Sequence, residues 1–271
     1  MDIHLQRANA NKLMFRFLKE AVQDYGARLA SIEGGSMRNA IPREAFAVVT
    51  IPGDDDCEGF FELISDYQDL FKYEYHGVEN NINFVAEQVE LPELLIPEEI
   101  QDDLINAIEG CQNGALGFLN DFPDTVETSS NLAIVKSSEG RVDVRILVRS
   151  SSETKKAAVC SSLESVFALA GAQVEFDNAY PGWDPNVNSP MLSVMKSIYK
   201  EKYGTDIAIK VIHAGLECGI ILSSVPELDI VSFGPTIKHP HSPDEKVEIA
   251  SVQKFWDYLT ATLEQAPKIV S

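Results

Sequence analysis

The stretch SSNLAIVKSSEGRVDVRILVRSSS, residues 129–152, constrains the fold more than any other part of the sequence. Apolar and polar residues alternate on both sides of SSEG, with the period of a strand that buries one face. Two such runs joined by a short glycine-containing turn predict a β-hairpin.

The hairpin sits inside an order of elements that occurs twice. Leu13, Phe17, Leu18 and Val22 recur near helical spacing and predict a helix over 5–24. GARLASIEGG (26–35) and EAFAVVTIP (44–52) read as strands. The acidic start of DDDCEGFFELIS suits a helix N-terminus, and that helix runs to about residue 75. INFVAEQVE (82–90) alternates like a strand. The order α-β-β-α-β then returns as a helix ended by Gly110, the hairpin, a helix stopped by Gly171, and a strand at AQVEFDNAY (172–180). Each unit becomes a β-α-β-β-α-β layer if one strand precedes its first helix. For the first unit that strand lies before Met1, so the chain is expected to begin inside a fold.

From Tyr180 the pattern changes. NSPMLSVMKSIYKEKYG is a helix with Gly204 as its stop, and DIAIKVIHAG (206–215) and DIVSFGPT (229–236) read as strands rich in branched residues. LECGIILSSVP between them is a short helix or turn. A closing helix, VEIASVQKFWDYLTATLEQ, has Val252, Phe255, Trp256, Leu259 and Leu263 as its apolar face. Strand and helix in alternation indicate part of an α/β sheet. Two strands are too few for an independent domain.

Hydrophobic residues make up 45% of the 271, enough for a real core. A net charge of −20 argues against general nucleic-acid binding, which needs Lys and Arg to neutralise phosphates. There is no apolar run of membrane-spanning length and no basic-then-apolar leader, so no membrane is implied and a cytoplasmic location is expected. Cys57, Cys111, Cys160 and Cys218 form no CxxC pair and imply neither a zinc knuckle nor a disulfide framework.

Four stretches bear groups suited to a site. GPTIKHPHSPDE (234–245) holds His239 and His241 among three prolines, followed by Asp244 and Glu245. Zinc needs three or four ligands, and spacing alone favours an exposed turn histidine at either position. In VIHAGLECG (211–219), His213 closes a strand and Glu217 opens a predicted helix, with glycines that permit close approach by a ligand. A pocket wall and a plain tight turn fit this stretch about equally. GGSMRNAIPREA (34–45) places Arg38, Asn39 and Arg43 in a loop, where they suit a peptide backbone or carboxylate, or nothing more than a long connection. Arg145 and Arg149 share one face of a strand, and Arg145 reads as a solvated charge.

These stretches resemble the aminoacyl-histidine dipeptidases, also called Xaa-His dipeptidases, a carnosinase-like group of dinuclear zinc peptidases. ANANKL, GGSMRNAIPREAFA, VETSSNLA, AYPGWDPNVNSP, HAGLECG and GPTIKHPHSPDEKVEIASV all look like that family, in its order and along essentially the whole chain. The resemblance implies an α+β / α/β architecture. Residues 1–179 are expected to be most of a lid domain of two antiparallel layers, with the first strand missing. Residues 180–271 are expected to be the C-terminal segment of the catalytic domain. It makes His241 the last zinc ligand of the family's HSPDE motif, reversing the reading from spacing. It makes Asn39 a lid contact to substrate and Arg149 the grip on the substrate carboxylate, and it puts His213 and Glu217 near the active site. His239 gains no role.

The resemblance also implies two zinc ions, a dipeptide substrate, and a homodimer or a missing N-terminal catalytic segment. The family's remaining metal ligands and its Glu-Glu general base have no counterpart in these residues. The isolated chain is therefore expected to be inactive. The alternative is a non-enzymatic binding or dimerisation module derived from the lid.

Overall fold

The computed structural model describes residues 3–177, 181–183, 186, 188–210, 217–238 and 244–265. They fall into two compact units, residues 3–177 and residues 181–265.

In the larger unit, helix α1 (Ala10–Tyr25) starts five residues later than its apolar spacing predicts. The reason is a cap: the Asn9 side chain accepts from the Lys12 N–H at 3.2 Å, satisfying one of the donors that the first turn leaves open. Gly26, with φ 60°, closes the other end in the left-handed conformation. Strands β1 (Arg28–Gly34) and β2 (Ala45–Thr50) follow, then helix α2 (Asp54–Glu74), helix α3 (Glu98–Gly110) and a short strand β3 (Gly114–Phe118). The hairpin forms strands β4 (Val126–Ser138) and β5 (Arg141–Ser150). Its turn residues Glu139 and Gly140 both have positive φ, 50° and 77°, which matches the right-handed twist of the strands they join. Helix α4 (Glu153–Leu169) completes the unit.

All five strands belong to one antiparallel sheet, in place of the two layers expected. Strand β4 is the reason. It pairs with β5 from Thr128 to Ser138, with β3 through Val126–Ser130, and with β1 at Val135 and Lys136. Phe15, Leu18, Leu29, Ile32, Phe71, Ile108, Leu132 and Val135 are closed from solvent between the sheet and the helices. Phe84 packs edge-on against Phe17 and Phe71 beside this core.

The expected strand at 82–90 is irregular, and so is the described part, 172–177, of the one expected at 172–180. Alternation fixes which way side chains point, whereas a strand exists only where a neighbour completes the backbone hydrogen bonds. These segments have no such neighbour among the described residues. Phe84 N–H is instead taken by the Gln68 side chain at 2.5 Å.

The smaller unit holds helices α5 (Pro190–Tyr203) and α6 (Glu217–Ser224), two-residue strands β6 (Ile237–Lys238) and β7 (Lys246–Val247), and helix α7 (Ile249–Gln265). Helix α5 is capped by Ser189, whose hydroxyl accepts from Leu192 N–H at 2.9 Å, and it ends at Gly204 with φ 70°. The strands expected at 206–215 and 229–236 are irregular where described and have no partner among the described residues; residues 211–215 lie outside that set. Helix α7 is rotated from the face its apolar residues suggest. Tyr258 and Thr262 are buried, and Tyr258 donates to Met195 O at 2.8 Å, while Val252, Trp256 and Leu263 are exposed.

Candidate functional site

The β1–β2 connection bears the first candidate group. Its entry depends on two glycines. A Cβ on Gly34 would lie 1.8 Å from Asn11 Oδ1, and one on Gly35 would lie 1.9 Å from Ala133 O. Gly35 also has φ +76°, where side chains are strained. Ala133 sits where the β4–β5 register shifts between Leu132 and Ile134, so the bulge and the glycines fit against each other. Residues 37–40 then form a turn closed by Ala40 N–H to Met37 O at 3.2 Å. Asn39 stands on it, exposed.

Four asparagines support this turn from below. Asn9 Nδ2 donates to Leu132 O at 3.0 Å and to Asn113 Oδ1 at 3.1 Å. Asn113 Oδ1 also accepts from Leu132 N–H at 2.9 Å. Asn11 Nδ2 donates to Gly34 O at 3.3 Å. Asn131 Nδ2 reaches Ala40 O at 2.8 Å and Arg38 O at 3.5 Å, the residues on either side of Asn39. Buried amide donors paired in this way hold backbone geometry firmly, although Asn11 Oδ1 is buried without a partner among the described residues.

Arg149 lies near the end of β5, opposite Ser129 of β4. The strand end is tied down beside it. Thr128 and Ser150 hydroxyls are 2.8 Å apart, Ser151 N–H donates to Glu127 O at 3.1 Å, and Glu127 is paired with Lys155 at 2.6 Å. Burial lowers the pKa of Arg149, and the nearby Arg38 charge lowers it further. Among the described residues Arg38 and Arg43 make no ion pair, whereas Arg7, Arg16 and Arg28 are each matched to a glutamate. Asn39, Arg43, Ser129, Asn131 and Arg149 line one concavity of about 2100 Å³. Glu44, Glu79, Glu87 and Glu90 and many apolar residues line it too, so the positive charge and amide groups that suit a carboxylate joined to a peptide bond are confined to the part around Arg149, Arg43 and Asn39. Arg145 is exposed and does not line it.

In the smaller unit, Glu217 is the exposed first residue of α6. The glycine at 219 does permit a close approach, but the chain's own backbone makes it. A Cβ there would lie 2.7 Å from Pro181 O. His213, His239 and His241 lie outside the described residues. Among the described residues no group of three or more His, Cys, Asp and Glu could hold a metal ion, so they offer no site that fits zinc. The four cysteines are free thiols. No described helix is long and apolar enough to cross a membrane.

Sequence reading passed over Asn131. Its signal was the polar run ETSSN inside an otherwise alternating strand, all of it buried in the fold.

The sequence matches Peptidase family M20/M25/M40 over residues 51–265. The chain belongs to that family. Residues 1–78 also match the Peptidase dimerisation domain. Among M20 peptidases, the cytosol non-specific dipeptidase of Escherichia coli (strain K12) is 38% identical over 266 residues, covering 98% of this chain and 55% of that protein. The crystal structure of an aminoacylhistidine dipeptidase from Vibrio alginolyticus is 43% identical, with a TM-score of 0.90 over 97% of this chain and 54% of its own. The chain thus spans about half the length of the relatives it matches.

Proposed function

We propose that this chain is the substrate-gripping part of a zinc dipeptidase that hydrolyses Xaa-His dipeptides. In this reading residues 1–179 are the lid and residues 180–271 a segment of the catalytic domain. The observation that supports it best is the concavity shared by Asn39 and Arg149. Arg149 takes the substrate's terminal carboxylate, with Arg38 adding positive potential, and Asn39 bonds the peptide amide. The family resemblance adds Glu217 and His213 as substrate-binding residues. His241 is the zinc ligand this chain contributes, and the other ligands and the general base come from residues beyond it. When bound, zinc supplies Lewis-acid polarisation of the peptide carbonyl and a water of lowered pKa. The names of the relatives support a dipeptide substrate and a cytosolic setting, and the dimerisation-domain match supports a homodimer. That same match favours the second reading, a binding or dimerisation module without activity.

Two measurements separate these readings. The first is L-alanyl-L-histidine binding, by calorimetry, to the purified chain and to Arg149→Ala. Losing a charged hydrogen bond should weaken binding by about 1.5–3 kcal/mol, and equal affinities would remove Arg149 from the site. The second is hydrolysis of the same dipeptide by the chain with zinc or cobalt. Little turnover is expected, because a catalytic zinc needs three protein ligands and His241 is one. Robust turnover abolished by His241→Ala would mean that this chain holds a complete ligand set.

A further inference from the structure

We propose that Asn131 is a positioning residue that fixes Asn39 by clamping the two residues flanking it. The proposal rests on the substrate reading only for its meaning, since the clamp is defined by geometry. Asn131 is 6% exposed and lies on the side of β4 that lines the concavity. Its Nδ2 donates to Ala40 O at 2.8 Å and, at the limit of a hydrogen bond, to Arg38 O at 3.5 Å. Asn39 itself is exposed in a four-residue turn with one closing bond, Ala40 N–H to Met37 O. Such a turn needs an outside anchor to present one side chain in one place.

The anchor is rigid because it is itself held. Asn131 belongs to a strand paired along β5. Its Oδ1 lies 3.5 Å from Asn9 Nδ2, a long contact, since the two protons of that amide go to Leu132 O and to Asn113 Oδ1. The next residue of α1, Ala10, donates its N–H to Pro42 O at 3.1 Å, so the same helix end grips the loop beyond Asn39 as well. An amide suits residue 131 because a short side chain with two donor protons faces two carbonyls there, which neither a carboxylate nor a hydroxyl can serve. The consequence is a shared effect. Disturbing Asn131 displaces Asn39 without removing it, so Asn131 and Asn39 act as one unit in ligand binding.

The test uses the full 271-residue chain. In Asn131→Asp, an acceptor replaces the donor facing Ala40 O and Arg38 O. Exchange of the Ala40 amide, followed by nitrogen-15 NMR, should speed up at least about fivefold, the scale of one lost hydrogen bond, with α2 and α3 amides unchanged. Asn39→Ala should leave that exchange as it is. In titrations with L-alanyl-L-histidine, N131D and N39A should weaken binding by similar factors, and the double variant should be no weaker than either alone. Unchanged Ala40 exchange in folded N131D, or additive losses in the double variant, overturns the clamp. If the wild type does not bind the dipeptide, the substrate reading fails, and exchange alone still judges the clamp. If N131D does not fold, the wild type decides. The Asn131 side-chain NH2 should exchange slowly, and free, fast-exchanging amide protons there would overturn the proposal.

Discussion

The larger unit closes its own core, and the described part of the smaller one does not. Phe15, Phe71, Ile108 and Leu132 are shut off from solvent on all sides in the first. In the second, the buried hydrophobic cluster among the described residues is Met195, Ile198 and Tyr258, while Trp256 of α7 is 58% exposed and Ile220 of α6 is 45% exposed. Both units have capped, amphipathic helices, so helix quality is not the difference. The difference is the sheet. A helix buries its apolar stripe only against a surface of matching size, and five paired strands supply one where two-residue strands cannot.

The sharpest way to break this comparison is to remove a large side chain from the closed core. Phe71→Ala should cost about 3–5 kcal/mol, the range for deleting a fully buried phenylalanine ring. Urea unfolding followed by far-UV circular dichroism measures it, and a loss below 1 kcal/mol would mean that the core is looser than its burial implies. Next in size is the junction of β1 with the bulge. Gly35→Ala puts a side chain at positive φ against Ala133 O, at a cost of about 1–3 kcal/mol. A neutral result in the same assay would show that the loop yields.

The packing of α7 can be probed by pH. Burial, aided by Tyr199 and Tyr203, pushes the Tyr258 hydroxyl up to about 12 from an ordinary 10. A tyrosine loses its proton first in the unfolded state, so this contribution is complete below pH 10 and lost as pH rises toward 12. Tyr67 is also raised, so the test is a difference: absorbance titration at the phenolate band should show one late-ionising tyrosine fewer in Met195→Ala than in the wild type. Identical titrations would show that Tyr258 does not owe its shift to this packing. The smallest effect belongs to the open face. Trp256→Ala should change stability by less than about 0.5 kcal/mol, since an exposed side chain loses little on truncation. A loss comparable with that of Phe71→Ala would show that α7 is covered in solution.

The sequence and the structure agree where the signal is local. Gly26, Ser189 and Gly204 bound helices within a few residues of where spacing predicts them, because a cap bonds to its own helix. SSEG specified its hairpin for the same reason. Pairing between distant strands was not legible. Nothing near Glu33 names Lys136 as its partner, and alternation at 82–90 could not reveal that no neighbour would meet it. β3, with two glycines in GALGF, gave too little pattern to read at all. The candidate site divides along the same line. Arg149 and Asn39 were visible as residue types at loop and strand ends, and their family resemblance named them. Asn131 was not, because its role depends on Ala40 and Asn9, 91 and 122 residues away in the chain.

The placement of β4 has a kinetic consequence. Its bonds to β5 cross a two-residue turn, so that ladder can zip within microseconds of chain collapse. Its bonds to β1 join Gly34 to Val135 and wait on the closure of a loop spanning helices α2 and α3. The hairpin is thus a template formed early, and β1 docks onto it late. Substitutions at Glu139 and Gly140 should slow refolding, whereas those at the β1–β4 contact should mainly hasten unfolding.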